Sequence, residues 1–376
     1  MEMIIWIIGI AVISLILILG TGIYMFKKKI KKDNPEYILQ FVKEHLESDK
    51  VALSINYNDQ EWVNINSKNL LPLASTVKII VAIEYARQAS KGQINSLQKV
   101  SLDELNTFYI PKTDGGAHEA WIASLDDGKG METVFLSDVA KGMITYSSNA
   151  NTEYLMQLLG LENINTVLVD LNISNHEPLY PLVSAMFIPT QLLNEKNVTR
   201  QELLKLLENM DISEYRKRAI NIHKKWISQP PTDQDKKQIL KNLDLNIQRI
   251  WSDRLPRSTT ATYVDIMDNL NSKTYFDDDI YKYLEPVMEQ LMSHPTNREW
   301  LMHAGEKGGS TAFILTTAMY ATDKEGNQTE MAFFTNDLTS LEQTKLSRNL
   351  NGFKLKFLKD TEFRNRMTNE LAIIKK

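Results

Sequence analysis

The stretch LLPLASTVKIIVAIEYA, residues 70–86, puts a serine at the head of an apolar helix and a lysine one turn further on, where the run becomes Ile-Ile-Val-Ala-Ile. A buried ammonium is costly, so Lys78 must be lifted to solvent or put to use. In one reading Ser75 caps the helix and Lys78 snorkels. In the other the two form S-x-x-K on one helical face, and the lysine, shielded from water by Ile79, Ile80 and Val81, has its pKa lowered enough to act as the serine's base. The remainder of the chain decides between them.

The composition narrows the choice. A chain of 376 residues, 43% hydrophobic and 24% charged, is long enough for a sizeable core. Its formal net charge of -4 gives no long-range attraction for polyanions, and no basic stripe is interleaved with aromatics, so nucleic acid is excluded as a partner. With no cysteine, disulfides, thiolate catalysis and Cys-ligated zinc are excluded too. The six histidines, His45, His118, His176, His223, His294 and His303, show no H-x-x-x-H or H-E-x-x-H spacing, so no metal and no cofactor is expected.

Met3 to Phe26 carries no charge and, at about 1.5 Å per residue, exceeds the roughly 30 Å hydrocarbon core of a bilayer. Residues 1–34 are therefore expected to form a transmembrane helix with a basic flank, Lys27–Lys32 (KKKIKK), and residues 35–376 the remaining domain. No small-residue cleavage site follows, which argues against a removed signal peptide. The flank favours a cytoplasmic domain by the positive-inside rule.

From there, Asn34–Asp49 reads as a helix, Val51–Tyr57 and Trp62–Ile65 as strands joined by a turn at Asn58–Gln60, and Leu136–Thr145 and Thr152–Leu159 as helices separated by SSNAN. Residues from about 190 to 256 are dense in charge and helix formers, with a capping box at Thr199 and Glu202 and a Pro230-Pro231 break, and read as a helical insertion. KGGSTAFILTTAMYATD, the turn EGNQ and TEMAFFTND read as an antiparallel hairpin opening at Lys307, followed by a helical pattern over Leu338–Leu350. Strands at both ends with helices between predict an α+β fold, one antiparallel sheet flanked by helices.

Two further motifs bear on chemistry. Ser147-Ser148-Asn149 puts a hydroxyl and a carboxamide on one loop, suited to relaying a proton and holding an amide, though Ser and Asn also break helices for local reasons. Lys307-Gly308-Gly309-Ser310 beside a strand gives a ligand close access to edge N–H groups, or else is a bulge with a solvated lysine. Asp114-Gly115-Gly116 is read first as a turn and second as a candidate substrate loop.

S-x-x-K, then S-x-N, then K-G-G before a hairpin resembles the motif set of the penicillin-recognising serine hydrolases, in particular the class A β-lactamases. LASTVK is similar to the family's nucleophile helix start and FLSDVAKGMITYSSNANTEYLM to its S-D-N region. Similarity runs over residues 51–177 and 258–350. The resemblance implies a β-lactamase/transpeptidase-like fold with Ser75 as the acylated nucleophile, Lys78 as its base and Ser147 as the proton shuttle to the leaving nitrogen. Asn149 would bind the substrate's side-chain amide and Lys307 its carboxylate; Gly309 would permit close approach, and the N–H groups of Ser75 and Ser310 would form an oxyanion hole. The implied partner is a β-lactam or a cell-wall peptide, and the implied location the outer face of the cell membrane. A D-alanyl-D-alanine peptidase and a non-hydrolytic β-lactam sensor are the alternatives.

The chain departs from the family pattern in three places. Gly308 stands where Thr or Ser is usual, Ser148 replaces the middle Asp of S-D-N, and in NHEPLYP, residues 175–181, Pro181 replaces the Asn expected four residues after the glutamate. Glu177, the implied deacylating residue, thus separates a turning-over enzyme from one that releases its acyl group slowly.

Overall fold

The computed structural model describes residues 34–125 and 130–374. The expected span Met3–Phe26 lies outside them; among the described residues no helix is long and apolar enough to cross a membrane. The described residues divide into two compact units, 34–44 with 339–374, and 45–125 with 130–338.

The smaller unit's described part is three helices, Glu36–Glu44, Ser340–Lys359 and Thr361–Ile374. Glu36 accepts from Lys356 at 2.9 Å and from Arg366 at 2.8 Å, and Lys43 pairs with Glu370 at 3.1 Å. Thr339 and Glu342 form a capping box that starts the second helix, which extends past the expected end at Leu350.

The larger unit is built on strands β1 (Val51–Tyr57), β2 (Gln60–Ile65), β3 (Leu71–Pro72), β4 (Lys99–Ser101), β5 (Thr133–Phe135), β6 (Arg257–Ser258), β7 (Leu301–Ser310), β8 (Leu315–Asp323) and β9 (Gln328–Thr335). Five of them make one antiparallel sheet in the order β2-β1-β9-β8-β7, so the first strands of the unit pair with its last. The expected α+β layout of an antiparallel sheet with helices is present. The Thr260–Asn271 helix packs on β1, β8 and β9.

The Lys78–Ser90 helix has eleven of its thirteen residues buried, which makes it an interior helix and not an amphipathic surface one. Helices Leu136–Thr145, Asn149–Leu159, Leu161–Asp170 and Asp278–Met288 enclose it. Its side chains join the largest apolar cluster with Ala52, Ala318, Ala332 and Phe334 from the sheet. Residues 188–253 fold into five helices, of which Ile212–Ser228 buries Tyr215, Ala219, Ile222 and Trp226 in a second cluster with Tyr180 and Val183.

Three local expectations are corrected. The β1–β2 turn has two residues, Asn58 and Asp59, both at positive φ, so Tyr57 pairs directly with Gln60 and β2 starts there; this is the I′ geometry whose twist matches the strands. The SSNAN break is shorter than expected, because Ser148 accepts from Asn151 N–H and caps a helix that begins at Asn149. Lys307 does not open its strand. It lies near the end of β7, and the β7–β8 turn falls at 311–314, where the Thr311 N–H donates to the Ile314 carbonyl and Thr311 Oγ1 accepts from the Phe313 N–H.

Candidate active site

The two readings of Lys78 separate at once. Its side chain is 1% exposed, which removes the snorkelling lysine, and Ser75 sits inside a 3-10 turn, Ala74–Val77, that runs into the helix with no side-chain cap, which removes the N-cap serine. Lys78 Nζ instead lies 2.6 Å from the Ser147 carbonyl, 3.2 Å from Ser147 Oγ, 2.8 Å from Asn149 Oδ1 and 3.4 Å from the Ser148 carbonyl. None of these partners is a carboxylate. Burial lowers the lysine's pKa well below the ordinary range, the charge of Lys307 lowers it further, and Asp114 opposes the shift. S-x-x-K and S-x-N are thus one cluster.

Ser75 is carried by a pinned turn. β3 pairs with β6, Leu71 opposite Ser258 and Pro72 opposite Arg257, and Leu73 N–H donates to the Pro256 carbonyl at 3.0 Å. Ala74 then takes φ +45°, a left-handed conformation costing an alanine of the order of 1 kcal/mol or more, and is held there by packing on Leu255 and Ile314. From the other side, Thr76 Oγ1 and Thr316 Oγ1 are 2.8 Å apart, and Thr316 Oγ1 donates to the Leu73 carbonyl, also at 2.8 Å.

β7 presses directly on this turn. A Cβ built on Gly309 would lie 2.5 Å from Ser75 N and 2.7 Å from the Leu73 carbonyl, so only glycine fits. The same construction on Gly308 meets nothing nearer than the Thr316 carbonyl at 3.5 Å, so the glycine that departs from the family pattern is not imposed by packing. Lys307, on the inward side of the strand, is 4% exposed and donates to the Gly308 carbonyl at 2.6 Å; burial pulls its pKa down to about 8, partly offset by Glu306. Ser310 follows, exposed at the strand end. Ser75 Oγ itself has no hydrogen bond to Lys78 Nζ or Ser147 Oγ, an alignment that commonly tightens only with substrate bound.

Ser147 takes φ +69° just beyond the Leu136–Thr145 helix. Behind it, Ser148 is fully buried where the family has an acid. Asn151 Nδ2 donates to the Val139 carbonyl at 3.0 Å, which turns its Oδ1 toward Ser148 to accept the hydroxyl proton at 3.0 Å. The Ser148 oxygen is then left to accept from His118 Nδ1 at 2.9 Å. This fixes His118 as the Nδ1-H tautomer, with Nε2 buried and unpartnered, and burial lowers its pKa. Ser148 thus links the buried His118 to Asn151. Asp114, read as a turn residue, accepts from Ala117 N–H, His118 N–H and Asn149 N–H at 3.1, 3.2 and 3.3 Å, so it ties its turn to the S-x-N loop.

Glu177 is placed differently. Its N–H donates to the Arg257 carbonyl at 2.8 Å and its neighbour His176 bridges Ser258, so its loop is bound to β6, the strand that also pairs with β3. Its carboxylate, however, accepts from Arg216 Nη2 at 2.9 Å and from Arg257 N–H at 3.2 Å, and makes no hydrogen bond to Lys78 or Ser75. It borders an open pocket of about 520 Å³ also lined by Glu208, Asp211, Asp253, Arg254 and Arg257.

Sequence reasoning missed Thr76, Thr316, His118, Arg216 and the buried Glu153. Glu153 receives the N–H groups of Val183 and Ser184 at 2.5 and 3.0 Å and His223 Nδ1 at 3.2 Å, fastening the loop after Glu177 and the Ile212–Ser228 helix to the Asn149–Leu159 helix. None of these five carries a local signal of its own, and Asp114, three residues before the Ala117–Leu125 helix, carries only that of a turn. Among the described residues no group of three His, Asp or Glu side chains is set to hold a metal ion.

The sequence model of the beta-lactamase enzyme family matches residues 36–221, close to half the chain. The solved structure of TLA-3 extended-spectrum beta-lactamase superposes with a TM-score of 0.51 at 12% identity, covering 88% of this chain and 98% of that one. A beta-lactamase from Chitinophaga pinensis superposes with a TM-score of 0.51 at 11% identity, covering 86% and 99%. No curated protein sequence matches the chain. At such identities the structures speak for the fold, which is that of the β-lactamases.

Proposed function

We propose that this chain, a class A β-lactamase-like relative of the penicillin-recognising serine hydrolases, opens the amide of a β-lactam through an ester on Ser75. The observation that carries the reading is Lys78: buried one turn from Ser75, with no carboxylate among its hydrogen-bond partners, it has its pKa lowered by burial and by the charge of Lys307, the shift that a lysine acting as base requires. In the proposed sequence Lys78 Nζ takes the Ser75 hydroxyl proton as Oγ attacks the carbonyl carbon. The N–H groups of Ser75 and Ser310 hold the developing oxyanion, such donors being worth about 3 kcal/mol each. The C–N bond breaks, Ser147 hands its proton to the leaving nitrogen and regains one from Lys78 Nζ, 3.2 Å from its Oγ, and the acyl group remains on Ser75. Asn149 holds the substrate's side-chain amide and Lys307 its carboxylate. Water then cleaves the ester.

A second reading is favoured by one observation. Glu177 is engaged by Arg216, and no carboxylate is among the hydrogen-bond partners of Lys78 to serve the hydrolytic half, which suits a D-alanyl-D-alanine peptidase or a β-lactam sensor with a long-lived ester. Intact-protein mass spectrometry with a penicillin tests both. The expected result is a single adduct, absent in Ser75→Ala; an adduct that survives this change overturns the site. Rapid adduct loss favours the hydrolase, persistence the second reading, and release of D-alanine from a stem peptide marks the peptidase.

We place the domain on the outer side of the membrane, anchored by Met3–Phe26, because β-lactams and cell-wall peptides are found there; the KKKIKK flank argues the opposite. Protease treatment of intact cells should degrade the domain, and full protection reverses the assignment.

A further inference from the structure

Arg216 belongs to the Ile212–Ser228 helix, inside the charged segment that the sequence marks as an insertion, and yet its guanidinium reaches the one acidic side chain on the loop bound to β6. Three observations show that this is a held contact. The Arg216 side chain is 17% exposed and its Nε is buried without a partner, so the group is committed to this position even though it leaves one donor unpaired. Its neighbours in sequence anchor it: Tyr215 is 2% exposed, and His223, two turns on, is tied to the buried Glu153. The acceptor is fixed as well, since the same Oε2 of Glu177 also receives the Arg257 N–H, and the Glu177 N–H is spent on the Arg257 carbonyl.

We propose that Arg216 is a positioning residue that clamps Glu177 and thereby slows hydrolysis of the Ser75 ester. The inference rests on the acyl-enzyme reading above. In the hydrolytic half, a water oxygen bonds to the ester carbonyl carbon, the bond from that carbon to Ser75 Oγ breaks, one water proton is taken by a base, and Oγ regains a proton. A carboxylate held in an ion pair on one oxygen, with its backbone N–H also bonded, is less free to move to that water and take the proton. The helical segment thus sets the lifetime of the acyl group from outside the S-x-x-K cluster.

The experiment measures release of a fluorescent penicillin from the full-length protein after excess label is removed. Arg216→Gln and Arg216→Met should speed release by roughly a hundredfold, the lower end of the range for a positioned general base. The gain should vanish in Arg216→Gln/Glu177→Gln, whereas Arg216→Lys, which keeps the charge, should retain slow release. The proposal is overturned if the neutral variants release at the wild-type rate, if the double variant keeps the gain, or if the lysine variant is as fast as the neutral ones. A readout independent of labelling is NMR of the Arg216 guanidinium protons: distinct signals in the wild type that collapse in Glu177→Gln are expected, and signals already averaged in the wild type refute the clamp. Absence of any label on wild-type Ser75 sinks the acyl-enzyme reading, while the NMR result still decides the ion pair.

Discussion

Two adjacent glycines should respond in opposite ways to one methyl group. At Gly309 an added Cβ lies 2.5 Å from Ser75 N, 2.7 Å from the Leu73 carbonyl and 2.7 Å from Thr316 Oγ1. An ordinary contact begins at 3.4 Å, so backbone must retreat by about 0.9 Å, and two of the three obstacles are backbone already pinned by β6 and Thr316. Overpacking of that kind costs about 1–3 kcal/mol. At about 2–4 °C per kcal/mol for a unit of a few hundred residues, Gly309→Ala should lower Tm by roughly 2–12 °C. The same retreat moves Ser75 relative to β7, and a displacement near 1 Å costs on the order of a hundredfold in rate. At Gly308 the nearest atom to the new Cβ is 3.5 Å away, so Gly308→Ala should leave Tm within about 2 °C, since exposed substitutions usually change stability by less than about 0.5 kcal/mol. Thermal unfolding and penicillin-labelling rates of both variants are the assays. Equal behaviour of the two, or a Gly309→Ala protein that labels at the wild-type rate, refutes the close approach of β7 to the Ser75 turn.

Three further outcomes are expected. Because the Lys78 pKa is lowered by burial and then by Lys307, the labelling rate should rise with pH along a limb well below the ordinary lysine range, and Lys307→Gln should move that limb to higher pH; an unmoved limb refutes the coupling. Ser148→Ala removes the cap of the Asn149–Leu159 helix and leaves the buried His118 Nδ1 proton unpaired, a loss of about 1–3 kcal/mol readable in denaturant unfolding. His176 has its pKa depressed to about 4 by burial, so the unfolded chain takes up its proton first as pH falls; up to about 3 kcal/mol of stability, complete above pH 6.5, should be lost between pH 6.5 and about 4, and His176→Gln should flatten that part of the Tm profile.

The motifs were legible because each is short and local. Ser75, Lys78, Ser147, Asn149 and Lys307 announce themselves by spacing, and the structure brings them to one place. The hairpin from β8 to β9 was legible from Glu325-Gly326-Asn327, whereas the end of β7 was not, since Thr311, Ala312 and Phe313 carry no turn chemistry that a reader could use. What the sequence hides is partnership across long separations. Glu177 and Arg216 are 39 residues apart, Thr76 and Thr316 are 240 apart, and nothing periodic links them. The burial of Lys78 was likewise undecidable from its own helix, because the atoms that receive its Nζ come from a loop 70 residues away.

The two-residue strand β6 gives this molecule a common reference edge. One flank of it holds β3 and so the turn that carries Ser75; the other holds His176 and Glu177 through the backbone of Ser258 and Arg257. Loop 175–181 is consequently an exchangeable part: a replacement of different length or acidity keeps its registration with the serine if it preserves the N–H bond to the Arg257 carbonyl and the bridge to Ser258. The turn that carries Ser75 and the loop that carries Glu177 can therefore be altered one at a time, which makes β6 the place to begin grafting a different loop onto this scaffold.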